Sequence, residues 1–370
     1  MSRIGVNLAF FEDKINFGIG LFSVQLLREM VKIDSKNEYI LFVTDKVYEY
    51  FCNEFKQDNV CIISLKSIYS KNSSISKLYR VFYLLPKFVR KYNLDCYINL
   101  STVWYNFIPY NVKIINVVHD LHFIYYPKFY NYFMRNLIKY RIHKHILSST
   151  KIVTISNYVK KDVANFVQCF PSENIEVIGN PVEIKNMKSC IKKEYILSVN
   201  SFAAWKNQIT LVKGYHKILK ENKDFPYKLL LIGYGNADNL RMYIQQCNLE
   251  GRVIIKQEVS DEEIVRYYAS AVLFVNTSMF EGFGRGNIEA SMMMLPVLTT
   301  DVMCMREVSF GLLNYYSPPD DYNALADGIK RLLSEEANEK KLLAIKSKFY
   351  SEYSPKNVAK KYIGLINNVI

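Results

Sequence analysis

Glycine is scarce in this chain. There are fourteen in 370 residues, yet Gly282, Gly284 and Gly286 fall within five positions. Other absences narrow the function before any motif is read. No apolar run reaches the roughly 18 residues that a membrane-spanning helix needs. The seven cysteines are scattered and never spaced C-x-x-C, which argues against a zinc site or a disulfide framework and favours a reducing cytoplasm. "NFGIGLF" (16–22) and "LIGYGNADN" (231–239) each lack the later glycine of a dinucleotide fingerprint, which argues against a dehydrogenase. No internal repeat or low-complexity tract occurs. The opening "MSRIGVNLAFFEDKINFG" is interrupted by Glu12 and Asp13 and reads as a first strand, not a signal peptide.

Positive charge, by contrast, is abundant. The formal net charge is +13; residues 1–180 carry 23 Lys and Arg against 14 Asp and Glu, and the remainder 25 against 21. A basic first half suits phosphates, nucleic acid or an anionic membrane face; the plain alternative is drift in an Asn-, Lys- and Tyr-rich proteome. "SKLYRVFYLLPKFVRKYN" (76–93) and "YPKFYNYFMRNLIKYRIHKHIL" (126–147) interleave these cations with aromatics, and Lys128, Arg135 and Lys139 are spaced for one helix face. Such helices can lie on an anionic membrane with the aromatics in the headgroup layer; the alternative is that the aromatics pack inward and the basic face is solvated. No RNA- or DNA-binding module accompanies them, so nucleic acid is not expected as a partner.

Short apolar runs alternate with longer amphipathic ones, twice over. Strands are expected at 3–10, 39–44, 95–100, 113–118 and 151–156, with helices at 20–33 and 156–167, the second opened by a serine cap. The pattern restarts near Asn180-Pro181. Strands follow at 194–200, 227–233, 252–257, 271–276 and 295–300, with helices at 207–222, 237–251, 260–271 and 323–345. This is the pattern of two doubly wound α/β domains, whose ligands bind at the carboxyl ends of the strands, in a cleft between the domains.

The glycine cluster lies in "AVLFVNTSMFEGFGRGNIEASMMM" (271–294), read as strand, loop, then a helix from about Gly286 or Asn287. Glycines there let backbone N–H groups approach a phosphate at the helix N-terminus. Glu281 and Glu289 flank them. A carboxylate repels phosphate but accepts hydrogen bonds from a vicinal diol, so the two acids suit sugars on either side of a diphosphate. That is the shape of a nucleotide-sugar. The alternative is a surface acid at Glu281 and a dipole-favouring acid at Glu289. In "VNSFAAWKNQITLVKGYH" (199–216), Lys206 sits at another strand–helix junction, able to neutralise a diphosphate or simply be solvated. His119 and Asp120 in "VVHDLHFIYYP" (117–127) end a strand, where a ligand-contacting pair belongs, although a core histidine is the plain alternative. His122 is read as structural.

These segments resemble family 4 glycosyltransferases of the GT-B fold, over nearly the whole length and most closely over 194–335. The family's E-G-F-G-x-x-x-x-E-A segment is matched by Glu281-Gly282-Phe283-Gly284 and Glu289-Ala290, and its K-N by Lys206-Asn207. An H-D pair followed by a proline, here His119-Asp120 and Pro127, is typical of a branch rich in mannosyltransferases. "TISNYVKKDV" (154–163), "GNPV" (179–182), "VSDEEIVRYYASA" (259–271) and the N-terminal "NFGIG", with Gly18 and Gly20, resemble further family segments. The resemblance implies that Glu281 contacts the transferred sugar and Glu289 the ribose. Amides around Gly282, Phe283, Gly284 and Arg285, with Lys206, Asn207, Ser201, Gly18 and Gly20, would hold the donor. His119 and Asp120 would serve the sugar and acceptor. It also implies transfer with retention, helped by positive charge rather than a metal. The lack of any D-x-D agrees, and no cofactor is expected.

Some positions depart from the family pattern. Ser201 stands where many members carry arginine, and Arg285-Gly286 where Leu-Pro is usual; Arg285 is a candidate replacement for the missing cation. Met294 and Gln257 replace usual glycines. The expectation is therefore GT-B: a Rossmann-like acceptor-side domain (1–180), a nucleotide-sugar domain (181–352), an interdomain cleft, and a last helix (353–370) crossing back to the first domain. The activity implied is hexose transfer from a nucleoside-diphosphate sugar to a glycan or polyprenyl-linked glycan for a bacterial surface polysaccharide such as capsule or lipopolysaccharide. The expected location is cytoplasmic, peripheral on the inner face of the plasma membrane. A nucleotide-sugar epimerase of the same fold, or a non-catalytic glycan- or transferase-binding partner, are the alternatives.

Overall fold

A computed structural model describes residues 1–11, 18–66, 73–101, 108–109, 111–184 and 195–370, with backbone only for residues 73 and 74. The chain divides into two units, Met1–Pro181 with Pro355–Ile370, and Val182–Ser354. In the first, seven strands form one sheet in the order β3-β2-β1-β4-β5-β6-β7. They are β1 (Arg3–Asn7), β2 (Glu38–Thr44), β3 (Val60–Leu65), β4 (Cys96–Asn99), β5 (Lys113–Val118), β6 (Lys151–Thr154) and β7 (Ile175–Val177). Every neighbouring pair is parallel.

Alternation along these strands sorts side chains onto two faces. Tyr39, Leu41 and Val43 point into one core with Leu26, Leu27 and Met30 of the helix Ile19–Ile33. Ile40 and Phe42 point into another with Leu85 and Val89 of the helix Leu85–Lys91. The chain's last helix, Pro355–Val369, joins the first core through Val358, Ala359, Tyr362 and Ile366. Tyr362 meets Phe22 edge-on, with 6.4 Å between ring centroids.

A polar ladder runs through this otherwise apolar sheet. Asn7, Asn99 and Asn116 occupy matched registers on β1, β4 and β5. Asn7 Nδ2 donates to Asn99 Oδ1 at 2.8 Å, and Asn99 Nδ2 to Asn116 Oδ1 at 2.5 Å. Asn116 Nδ2 then reaches the His145 carbonyl and Ser149 Oγ, each at 2.8 Å. All three asparagines are buried, so each bond replaces a water that cannot enter. A one-residue slip of any strand would strand these amides, which makes the ladder a register lock.

The second unit repeats the plan with six strands, ordered β10-β9-β8-β11-β12-β13. They are β8 (Tyr195–Val199), β9 (Lys228–Ile232), β10 (Val253–Lys256), β11 (Ala271–Asn276), β12 (Val297–Thr300) and β13 (Asn314–Tyr316), again all parallel. In both sheets the strand order reverses beside the first strand, at β1/β4 and at β8/β11. Loops leaving such a switch point diverge and open a crevice at the carboxyl edge.

Three expectations need correction. The stretch 323–345 is not one helix but two, Tyr322–Ser334 and part of Glu339–Tyr353. Glu335 is extended, and Asn338 caps the second helix by accepting from Lys341 N at 3.0 Å. Lys128 shares no helix with Arg135 and Lys139, because it lies in a separate turn, Pro127–Phe129, and the helix begins at Tyr132. The helix that carries Gly286 starts at Arg285, one residue ahead of the expected Gly286 or Asn287. Its far end explains one departure from the family pattern. Met294 sits at φ 62°, in the left-handed region. Met294 N donates to Ser291 O and Leu295 N to Ala290 O, the paired bonds of a helix stop that usually uses glycine.

Replacing Asn99 by Leu should lower the unfolding free energy by about 2–4 kcal/mol, because Asn7 Nδ2 and Asn116 Oδ1 both lose their partner inside the sheet. Urea denaturation read on the first unit checks this. Met294→Gly should raise stability by up to about 1 kcal/mol, seen as a higher melting temperature, by removing the left-handed strain.

Candidate functional site

The switch point of the second sheet gathers most of the charged residues singled out from the sequence. After β8 the chain passes Asn200 and Ser201, makes a tight turn, Ala204–Lys206, and enters the helix Gln208–Glu221 through Asn207 at φ 52°. After β11 it passes Thr277, Ser278 and Glu281 and enters the helix Arg285–Met292 through Gly284 at φ 76°. The two loops are tied together along their length. Met279 N donates to the Trp205 carbonyl at 2.8 Å, and Thr277 Oγ1 to the Lys206 carbonyl at 2.9 Å. Asn200 Nδ2 donates to Asn276 Oδ1 at 3.2 Å.

This bracing brings Lys206 onto Glu281, with Nζ to Oε1 at 2.5 Å and both side chains largely buried. Ser278 Oγ stands 2.8 Å from the same Glu281 oxygen and 2.7 Å from Asn276 Oδ1. The serine has one proton for these two acceptors, so it can turn from one to the other. Cys304 lies beneath, its Sγ 3.2 Å from the Glu281 carbonyl, and burial with Glu281 nearby pushes its thiol well up. It remains a neutral packing group rather than a nucleophile.

A second ion pair stands on the following helix. Arg285 Nε is 2.7 Å from Glu289 Oε1, one turn along, and Tyr268 OH donates to Glu289 Oε2 at 3.0 Å. Burial, with Glu289 beside it, raises the Tyr268 hydroxyl well above its usual value, so it acts as a fixed donor. Both oxygens of Glu289 are thus engaged. Between the two pairs lies the glycine loop. Gly284 needs its positive φ, and a Cβ there would meet Met305 Sδ at 2.9 Å; a Cβ on Gly286 would come 3.0 Å from the Phe274 ring. Gly284 is therefore required by turn geometry before any ligand is considered, and Gly286 packs closely on the Phe274 ring. Phe283 is buried edge-on against Tyr353, so only its backbone is available.

Asn207 is committed to the scaffold. Its Nδ2 donates to the Pro319 carbonyl at 2.9 Å, and its Oδ1 accepts from Thr210 Oγ1 at 2.9 Å. Gln257, another departure from the family pattern, bridges Gly235 O and Arg241 on the exposed surface.

In the first unit, Gly18 ends the loop after β1 at φ 53° and opens the helix Ile19–Ile33, where Gly20 is buried. Asn16 and Phe17 of the same motif lie outside the described residues. His119, just past β5, donates from Nε2 to the Leu100 carbonyl at 2.8 Å, which leaves Nδ1 as its acceptor. Burial lowers its pKa, only partly offset by that bond and by Asp120, and Phe22 packs edge-on at 4.8 Å. Asp120 turns to His122, whose Nδ1 is 2.6 Å from Oδ1. Burial alone would raise the Asp120 carboxyl, but the bonds and charge of His122 outweigh it and hold the group below its usual range. His122 Nε2 in turn meets the Tyr130 hydroxyl. Close by in sequence, Tyr125 OH donates to Asp162 Oδ1 at 2.5 Å. His122 is therefore the partner that orients Asp120, not a bystander.

Sequence reasoning missed Tyr268, Ser278, Asn276, Asn200 and Tyr130. Asn200, Asn276 and Ser278 are polar side chains at or just past strand ends, whereas Tyr268 lies on the helix Asp261–Ser270 and Tyr130 in the connection before the helix Tyr132–Leu147. Among the described residues, no three His, Cys, Asp or Glu side chains gather as a metal site. Chemically, the second unit offers two cations and a helix N-terminus for an anion, beside two carboxylates with hydroxyl donors.

Comparison with known proteins sets relatives beside this arrangement. Residues 183–348, nearly the whole second unit, match the model for glycosyl transferases group 1. The chain is 27% identical over 345 residues to the O-antigen chain mannosyltransferase RfbU of Salmonella typhimurium, covering 90% of this chain and 89% of that protein. In structure it is similar to a glycosyltransferase from Rickettsia africae, at TM-score 0.71 and 17% identity, covering 100% of this chain and 98% of that one. It is also similar to Anabaena Alr3699/HepE, solved in complex with UDP, at TM-score 0.73 and 14% identity over the whole of both chains. The two doubly wound sheets are those of the GT-B fold, residues 183–348 form a glycosyl transferases group 1 domain, and the chain is a glycosyltransferase.

Proposed function

We propose that this chain is a retaining, metal-independent hexosyltransferase that moves a sugar, with mannose favoured, from a nucleoside-diphosphate donor to a lipid-linked glycan of a bacterial surface polysaccharide. Its place is the cytoplasmic face of the plasma membrane. One observation carries the reading: both carboxylates at the switch point are paired with cations, Lys206–Glu281 and Arg285–Glu289, around a helix N-terminus. The likeness to an O-antigen mannosyltransferase over nine-tenths of both chains supports the substrate class.

Donor binding exchanges partners. The diphosphate takes the ammonium of Lys206, the guanidinium of Arg285 and the amides around Gly284. The freed carboxylates accept hydrogen bonds from hydroxyls, Glu281 from the transferred sugar and Glu289 from the ribose, while Ser278 and Tyr268 keep each oriented. In the first unit His119 and Asp120 serve the sugar and acceptor, the latter held by His122. As transfer proceeds, the bond from C1 to the diphosphate oxygen breaks and a bond from C1 to the acceptor oxygen forms. The acceptor's proton leaves with the nucleoside diphosphate. Negative charge grows on that diphosphate, where two cations and a helix N-terminus already stand, and no reorganisation is needed to meet it.

A thermal-shift screen of nucleoside-diphosphate sugars, followed by a transfer assay in chelator, tests the reading. Glu281→Gln should lower kcat by about a hundredfold or more while the donor still stabilises the protein. An unaffected variant removes Glu281 from the reaction. Arg285→Leu should weaken binding of the nucleoside diphosphate by about tenfold, a loss of about 1.4 kcal/mol, and leave affinity for the bare nucleoside nearly unchanged. Equal diphosphate affinity in wild type and variant, measured by calorimetry, would confine Arg285 to its ion pair with Glu289.

A further inference from the structure

We propose that the ring of Tyr125 is a pyranose-binding platform, which holds the next sugar of the acceptor beside the one that receives the transferred hexose. Tyr125 is the last residue of the short helix His122–Tyr125, close in sequence to Asp120. It is 39% exposed, yet its hydroxyl is tied inward. The single hydroxyl proton goes to Asp162 Oδ1 at 2.5 Å, and the same group bonds Tyr158, whose ring lies tilted 6.1 Å away. Burial first, then the bonds to Asp162 and Tyr158, push this hydroxyl above its usual value, so it stays a neutral donor. The exposed ring is thus fixed at both ends, by its backbone and by its hydroxyl.

Packing alone does not call for this tether. The short helix is already clasped to the helix Asn157–Phe166 by Phe123, which is buried and meets Phe166 edge-on at 5.8 Å. Asp162 carries the cost of the tether. It is 9% exposed, and its Oδ2 is buried without a partner. Burial raises its carboxyl, the bond from Tyr125 offsets part of that, and the charge of Asp120 raises it again. An apolar side chain at this place would close the same contact without burying a carboxyl. What the carboxyl adds is a fixed orientation for an exposed ring. A ring held this way gives a large, rigid contact area and loses little freedom on binding.

Charge selects the ligand. Asp120 lies within electrostatic reach of Asp162. It uses Oδ1 on the His122 backbone N–H and ring, its side chain is 38% exposed, and its Oδ2 takes no partner among the described residues. Two acids beside the ring repel a phosphate, which disfavours a nucleotide or a lipid headgroup. A lipid tail would use the ring and leave the carboxylate unanswered. A pyranose satisfies both: its C–H face lies on the ring, and its hydroxyls donate to Asp120. This rests on the transferase reading above and deepens it, since the acceptor is then a sugar chain and not a single sugar or a bare lipid phosphate.

The test is calorimetry on the full chain saturated with a nucleoside diphosphate. The probes are methyl α-glycosides and α-linked disaccharides of mannose, glucose and galactose. At least one disaccharide should bind about tenfold tighter than its methyl glycoside. Tyr125→Ala should abolish that gain while the melting temperature and the affinity for the nucleoside diphosphate keep their wild-type values. Tyr125→Phe and Asp162→Leu keep the ring but release its hydroxyl end, and each should bind the disaccharide about threefold more weakly than wild type. Asp162→Asn still accepts from the Tyr125 hydroxyl and should bind as wild type does. No gain for any disaccharide, or an undiminished gain in Tyr125→Ala, would overturn the proposal. If Tyr125→Ala does not fold, undiminished gains in both Tyr125→Phe and Asp162→Leu would do the same. A wild type that binds no nucleoside diphosphate at all is a separate result, which overturns the transferase reading and this proposal with it.

Discussion

The site depends on reconciling two opposite electrostatic demands within one strand–loop–helix. A diphosphate requires positive charge, and polyols on either side of it are best held by carboxylates. Placed side by side without compensation, two largely buried carboxylates would repel the anion and pay for their own desolvation. The protein solves this by giving each acid its own cation, Lys206 for Glu281 and Arg285 for Glu289. The resting site is close to neutral, yet it holds the charges that a ligand of mixed character needs. Everything around it serves to keep those pairs in place: the loop-to-loop bonds from Met279 and Thr277, the Asn200–Asn276–Ser278 chain, and the hydroxyl of Tyr268.

The two units use related devices at their strand ends. In the first, Asn7, Asn99 and Asn116 link three adjacent strands side chain to side chain. In the second, Asn200 and Asn276 link the ends of β8 and β11, and Asn276 hands on to Ser278. An amide is suited to this place because it offers a donor and an acceptor on one short side chain. It can therefore bridge strands whose backbone groups are already spent on the ladder. In the first sheet the result is register. In the second it is register plus orientation of Glu281.

Much of this was legible in the sequence because buried parallel strands are continuous apolar runs, and both sets stood out against polar, helix-capping punctuation. Ser156, read as a cap, does accept from Val159 N. What escaped notice had weaker local signals. The strands Val60–Leu65 and Asn314–Tyr316 lie at sheet edges, where burial is partial and polar residues intrude. The break between Ser334 and Glu339 falls in a run of good helix formers and depends on Asn338 as a cap, which no periodicity betrays. The motif residues Glu281, Lys206 and Glu289 were visible as types at a spacing, but their pairing was not. Pairing arises from how β8 and β11 sit beside each other, 75 residues apart in sequence for Lys206 and Glu281. The glycine cluster was visible and its reading incomplete, since Gly284 is called for by its left-handed backbone and Gly286 packs closely on the Phe274 ring.

Arg285 shows how a site can relocate a charge without changing its sum. The pattern this chain resembles often has a cation at the place of Ser201, on the loop after β8, and an apolar residue at the place of Arg285. Here the cation stands on the helix after β11. There it is one turn from Glu289, and a guanidinium at that spacing reaches the carboxylate through its Nε. A cation on the opposite loop would neutralise an incoming phosphate but leave Glu289 to be held by Tyr268 alone. Moved to position 285, the same charge offsets the carboxylate when the site is empty and lies at the helix entry when an anion arrives. Under the proposed exchange of partners, the donor displaces this ion pair on binding. A ligand that brings phosphate and hydroxyls together would replace both partners in one event, whereas phosphate alone would leave Glu289 largely buried without its cation. Such an exchange would build selection for the complete donor into the arrangement of four side chains.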